Sequence, residues 1–127
     1  VAEDRLWSIA KYNLATVQRV LDKVATWEPN LRMMRLGSEL FPVYTENSWR
    51  YFWQQPDVRA YLEREFAKIG DFARSHDIRL SFHPGQYCCI VSENDDIIAK
   101  SVEELEYHTD MARWMGYGKQ FQDCKIK

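Results

Sequence analysis

The chain has 127 residues, enough for one domain with a buried core, and its 46% hydrophobic and 14% aromatic content is that of an ordinary globular protein. Seventeen basic against nineteen acidic residues leave a formal net charge of −2, so bulk electrostatics neither point to nor exclude a polyanionic partner. No apolar run reaches the length of a membrane span and Val1-Ala2-Glu3-Asp4-Arg5 has no signal-peptide character, which makes an intracellular protein the expectation.

Leu14, Val17, Leu21 and Val24 recur three and four apart, which predicts an amphipathic helix opened by Asn13 as N-cap and closed at Glu28-Pro29-Asn30. A strand is expected over 31–36, then a long loop over 37–55 with one short helical turn. That loop carries Trp49, Tyr51, Phe52 and Trp53, a cluster that reads as packing more than as a stacking platform, with basic Arg50 leaving DNA contact open. Pro56 stands where a first helical turn tolerates proline, and Val58, Leu62, Phe66, Ile69 and Ala73 mark one face of a second helix ending near Ser75-His76-Asp77. His76, at that terminus, reads as a cap.

Ile78, Leu80 and Phe82 alternate with Arg79, Ser81 and His83, the period of a half-buried strand over 78–82, with His83 on the polar face at its carboxyl end. Pro84 removes a backbone donor and Gly85 permits unusual dihedrals, so the chain must turn there and present Gln86 and Tyr87. Ser92-Glu93-Asn94-Asp95 resembles a capping box opening a third helix through Ile98, Val102, Leu105 and Ala112, with Gly116 as its stop. His108, inside that helix, reads as structural. A last strand is expected over 124–127. Cys88, Cys89 and Cys124 lack CxxC spacing and any motif partner, so they read as small apolar filling in a reducing compartment.

Strand centres near Met34, Leu80 and Ile126 lie 46 residues apart in each case, with one main helix in each interval. Strands joined through helices favour a parallel sheet, and the fold class is α/β. An open doubly wound sheet and a closed (β/α) barrel both fit, and both gather functional groups at the strands' carboxyl ends. No Gly-rich phosphate fingerprint follows either strand, which counts against the nucleotide-binding open sheet. A TIM barrel takes about 250 residues. The expectation is therefore that residues 1–127 are a fragment of a single domain with about three parallel strands, less than half of a TIM barrel if that is the fold, whose open sheet edges promote self-association.

Taken alone, a His before Pro-Gly is either a locally bonded turn residue or a metal ligand, and a Gln-Tyr pair after a turn is either plain surface or a probe for displaced bases. Glu39 and Glu46 are two loop carboxylates of the kind usually solvated.

Three blocks in order, Arg35-Leu36-Gly37-Ser38-Glu39-Leu40-Phe41-Pro42, Arg79-Leu80-Ser81-Phe82-His83-Pro84-Gly85-Gln86-Tyr87, and Leu105-Glu106-Tyr107-His108 with Met115-Gly116, resemble the UV damage endonuclease family from about Asn13 to Lys127. The resemblance implies a metal-dependent TIM barrel that nicks UV-damaged double-stranded DNA on the 5′ side of a photoproduct. It implies metal ligation by His83, lesion probing by Gln86 and Tyr87, and several divalent ions, commonly Mn2+ with Mg2+ as an option. A family His aligns near Glu46, where this chain departs from the pattern; a carboxylate is a sound ligand for either ion, so Glu46 is a candidate substitute. No catalytic residue is assigned. The competing readings are another metal-dependent barrel of the abasic-site endonuclease or sugar isomerase type, and a truncated module that binds DNA or a protein without cleaving anything.

Overall fold

Apolar side chains at Leu6, Ala10, Leu14, Val17, Leu21 and Val24 form one buried stripe along α1 (Ala2–Val24). The computed structural model describes residues 1–120 and 124–126. Asn13 is not the cap of this helix: it lies mid-helix, and its side-chain amide donates to the Leu40 carbonyl at 2.8 Å. Leu6 and Ala10 continue the stripe N-terminally across a polar interval, which is why the series appeared to start at Leu14. The helix ends at Val24, before Glu28-Pro29-Asn30, and Pro29–Leu31 form a 3₁₀ turn where the first strand was expected to begin. Proline lacks the N–H a ladder needs and starts such a turn readily.

The remaining elements are β1 (Met33–Gly37), α2 (Arg50–Gln54), α3 (Pro56–Ser75), β2 (Arg79–His83), α4 (Asp95–Trp114) and β3 (Lys125–Ile126). Pro56 opens α3 and Ser75 ends it, as expected. The strands form one parallel sheet in the order β1-β2-β3. Met33 pairs with Arg79 and Gly37 with His83, while Ser81 pairs with Lys125. This bears out the α/β fold class with three adjacent parallel strands. Lys127, the last residue of the expected final strand, lies outside the described residues.

Alternation divides the sheet. Leu36, Leu80 and Phe82 are buried beneath the helices, whereas Met33, Arg35, Arg79 and His83 are exposed on the opposite face. Each fully buried side chain of this size contributes about 1.5–3 kcal/mol relative to exposure. Phe52 and Trp53, on the short α2, are wholly buried, so the aromatic cluster is core. Arg50 of the same helix is ion-paired with Glu103 at 2.9 Å.

Helices α3 and α4 meet closely at their carboxyl ends. Gly70 is buried in α3, and a Cβ there would stand 2.8 Å from the Met115 carbonyl carbon and 2.9 Å from its Cα. One turn on, Arg74 donates to the Met115 carbonyl at 2.6 Å and lies over the Tyr117 ring at 5.0 Å, capping the negative end of α4. Gly116 has φ +88°, the left-handed stop expected after α4.

The buried face of α4 differs from the expected one. Asn94, rather than Ser92, is the N-cap, accepting from the Asp96 and Ile97 amides at 2.9 and 3.4 Å. Ser101, Tyr107, His108 and Met111 are the buried residues, while Val102 is 42% exposed. Ser101 and His108 are polar, and each is compensated by one hydrogen bond to a carbonyl four residues back in α4 and one to a residue outside the helix. Among the described residues, no helix is long and apolar enough to cross a membrane.

Candidate functional site at the carboxyl ends of β1 and β2

Gly37 and His83 are register partners at the carboxyl ends of β1 and β2, so the loops that follow them leave the sheet side by side. The first begins with a 3₁₀ turn, Ser38–Leu40, and is anchored by Phe41, which is 1% exposed and packs against Trp53 and Phe66 with centroids 5.2 and 5.6 Å apart. Its backbone is fastened to α4. The Tyr107 hydroxyl donates to the Ser38 carbonyl at 3.1 Å and accepts the Phe41 amide at 3.1 Å. His108, fully buried, has Nδ1 2.7 Å from the Glu104 carbonyl; a carbonyl only accepts, so Nδ1 carries the proton, and Nε2 faces the Ser38 hydroxyl at 3.3 Å. The structural role expected for His108 is thus to hold this loop, with its ring edge-on to Phe82 at 5.4 Å.

Burial pushes the Tyr107 phenol well above its ordinary value, with the hydrogen bond from the Phe41 amide acting in the opposite sense. Burial likewise pushes Tyr44, stacked on Tyr107 at 4.2 Å, up to about 12. Both rings are therefore neutral packing and hydrogen-bonding groups.

The second loop answers to the expected turn. Cys88 N–H donates to the Gly85 carbonyl at 3.0 Å, closing a β-turn whose two central residues are Gln86 and Tyr87. Both side chains project outward, and Tyr87 is 86% exposed. Gly85 does not use a positive φ here, and a Cβ on it would meet only Glu104 Oε1 at 4.0 Å, so the turn follows from Pro84 and the Gly85–Cys88 hydrogen bond. Beyond the turn, Ser101 of α4 accepts from the Cys89 amide at 2.8 Å and donates to the Ile97 carbonyl at 2.7 Å, fixing the segment to α4. Cys88 is half-buried, and its thiol is pushed up by that burial and by Glu104.

Two clefts flank α4. One, of about 760 Å³, runs between the post-β1 loop and α4 and includes Glu39, Glu46 and Glu103; the other, of about 620 Å³, includes Gln86, Tyr87 and Cys88. They share Thr45, Lys100 and Glu104 as a common wall. Glu46 therefore faces a cleft adjoining the one lined by Gln86 and Tyr87. His83 stands at the strand end between the two loops, exposed on the face opposite the helices. Imidazole and carboxylate are donors that suit Mn2+ or Mg2+ in kind. In number they fall short: among the described residues no three His, Cys, Asp or Glu side chains converge to hold an ion. Sequence patterning did not single out Tyr107, Ser101 or Lys100. Tyr107 acts through Ser38 and Phe41 and Ser101 through Cys89, partners remote in sequence that no local signal marks.

A family model described as UV-endonuclease UvdE matches residues 2–126. The chain is similar to a UV DNA damage endonuclease of Clostridium perfringens, 32% identical over 111 residues that cover 86% of this chain and 25% of that protein. It is similar to one of Bacillus velezensis at 31% identity, covering 90% of this chain and 33% of that protein, and to a UV-damage endonuclease of Schizosaccharomyces pombe at 28%, covering 81% and 17%. The crystal structure of SacUVDE superposes with a TM-score of 0.81 at 26% identity, over 99% of this chain and 39% of that one. The chain thus spans between 17% and 39% of the length of these proteins. With a family match across nearly its whole length and the same three-stranded parallel arrangement, the chain belongs to the UV-endonuclease UvdE family.

Proposed function

We propose that this chain carries the lesion-contacting edge of a divalent-metal-dependent endonuclease that nicks UV-damaged double-stranded DNA on the 5′ side of a photoproduct. The observation that carries the reading is the Gly85–Cys88 turn, which holds Gln86 and an almost fully exposed Tyr87 beside His83 at the strand's carboxyl end. An aromatic ring and an amide held clear of the core are suited to fill the space of displaced bases and to meet their hydrogen-bonding edges.

The neighbouring cleft supports the metal dependence. A phosphodiester entering beside Glu39, Glu46, Glu103 and Glu104 meets like charge, and among the described residues Lys100 is the one basic residue of that lining. Divalent cations would offset this repulsion and supply an activated water for hydrolysis. His83 is one ligand in this reading, and Mn2+ fits its imidazole and nearby carboxylates as Mg2+ fits the carboxylates. The same shortfall of converging donors favours a second reading, in which the 127-residue chain by itself binds DNA without cutting it. Self-association through the outer edge of β1 belongs to that reading.

Fluorescence anisotropy with irradiated and intact duplexes, alongside a nicking assay on irradiated plasmid, tests both. Tyr87→Ala is expected to weaken binding to damaged duplex by about 1–3 kcal/mol, the usual value of a base-stacking ring, and to leave intact duplex and the salt dependence of binding unchanged. Equal weakening on both duplexes makes the ring structural and removes the basis of the proposal.

A further inference from the structure

The segment that follows β2 rests on one residue of α4. The Cys88 thiol donates to the Ser101 carbonyl at 3.6 Å, and the Cys89 amide donates to Ser101 Oγ at 2.8 Å. Gln86 and Tyr87, just before these contacts, are exposed. Ser101 itself is 2% exposed, and its hydroxyl carries a single proton. Two carbonyls stand within reach of that proton, Ile97 at 2.7 Å in the same helix and Cys89 at 3.0 Å in the loop. One buried hydroxyl therefore meets both backbone polar groups of Cys89, two residues beyond Tyr87. Alanine has the higher helix preference, so the hydroxyl contributes at this position through the loop it holds.

We infer that Ser101 is a positioning residue for the lesion contact: its hydroxyl pins Cys89 to α4 and so holds Tyr87 in its outward orientation before DNA arrives. This rests on the lesion-contacting reading proposed above. A turn secured only at its β2 end would sample many orientations, and ordering it on the duplex would subtract from the binding that the exposed ring contributes. Pinned on both sides, the ring meets a damaged site already ordered. Ser101 is buried and acts on DNA only through the turn.

Anisotropy titrations of the 127-residue chain with irradiated and intact duplexes test this as a double-mutant cycle. Ser101→Ala is expected to weaken binding to irradiated duplex by about tenfold, the scale of ordering one residue, and to leave intact duplex unchanged. In the Tyr87→Ala background it should have no further effect. Thr109→Ala is the control: Thr109 bonds back to the Leu105 carbonyl at 2.9 Å on the exposed side of the same helix, and its loss should change neither duplex. Weakening that is equal on the two duplexes, or undiminished in the Tyr87→Ala background, makes Ser101 merely structural and overturns the inference, as does no weakening at all. The lesion-contacting reading fails separately, on Tyr87→Ala alone. Hydrogen exchange on the unsubstituted chain needs no variant to fold: the Cys89 amide should exchange about tenfold or more slowly than those of Gln86 and Tyr87, and equal rates overturn the clamp.

Discussion

Trp53→Ala is expected to lower the unfolding free energy by about 3–5 kcal/mol, a large part of what a domain of this size possesses. The indole is wholly buried, packs against Phe41, Tyr44 and Phe52 with centroids 5.2, 5.6 and 4.9 Å away, and donates Nε1–H to the Pro42 carbonyl at 3.2 Å. Truncation removes the largest side chain of that cluster, opens a cavity and leaves the Pro42 carbonyl without this donor. Helix α2 has only five residues, too few to persist without tertiary packing, so its order depends on Phe52 and Trp53. A fall of roughly 10–20 °C in Tm by calorimetry is the expected readout. Hydrogen exchange should show the change concentrated over 38–54, the loop that carries Glu39 and Glu46. A shift of only a few degrees would mean that the cluster repacks around the gap.

Gly70→Ala is expected to destabilise by about 2–3 kcal/mol, opposite in sign to intrinsic preference. In an unobstructed helix interior the change from glycine to alanine is worth about 1 kcal/mol in favour of alanine. Here the new methyl would press into the Met115 backbone, with the carbonyl carbon 2.8 Å away. That backbone is not free to yield, because its carbonyl accepts the Arg74 guanidinium at 2.6 Å and the next residue, Gly116, is held at φ +88°. Forced separation of α3 from the end of α4 is overpacking against main chain, the least compliant kind. Gly85→Ala is the control, since its Cβ would meet only Glu104 Oε1 at 4.0 Å; it should change stability by about 0.5 kcal/mol or less. Urea denaturation of the two variants measures the contrast. Equal stability of Gly70→Ala and the parent chain would show that α4 slides aside.

Much of this architecture is written in short-range pattern. The alternation of Leu80 and Phe82 with Arg79 and Ser81 gave β2 and its two faces, and Pro56 and Gly116 marked the start of α3 and the end of α4. Where reading failed, the cause was a partner elsewhere in the chain. Ser101 and His108 are buried in α4 because Cys89 and Ser38 meet their polar atoms, so hydropathy selected Val102 and turned the helix the wrong way. Asn13 has the composition of a cap and instead bonds to Leu40. His83, Gln86 and Tyr87 were recognisable in sequence, and the structure places all three at the carboxyl end of β2.

The division of the sheet into a buried and an open face also bears on how such a scaffold changes over generations. A substitution at Leu80 or Phe82 disturbs every helix that leans on the sheet, so drift at those positions is confined to apolar side chains of similar volume. Arg79, Ser81 and His83 alternate with them on the same strand yet point away from that packing. Neighbouring codons in β2 therefore answer to different constraints, alternate ones to shape against the helices and the others to the chemistry of the opposite face. Substitutions at Arg79 or Ser81 can alter that face, one residue in two, while the packing beneath the helices stays as it was.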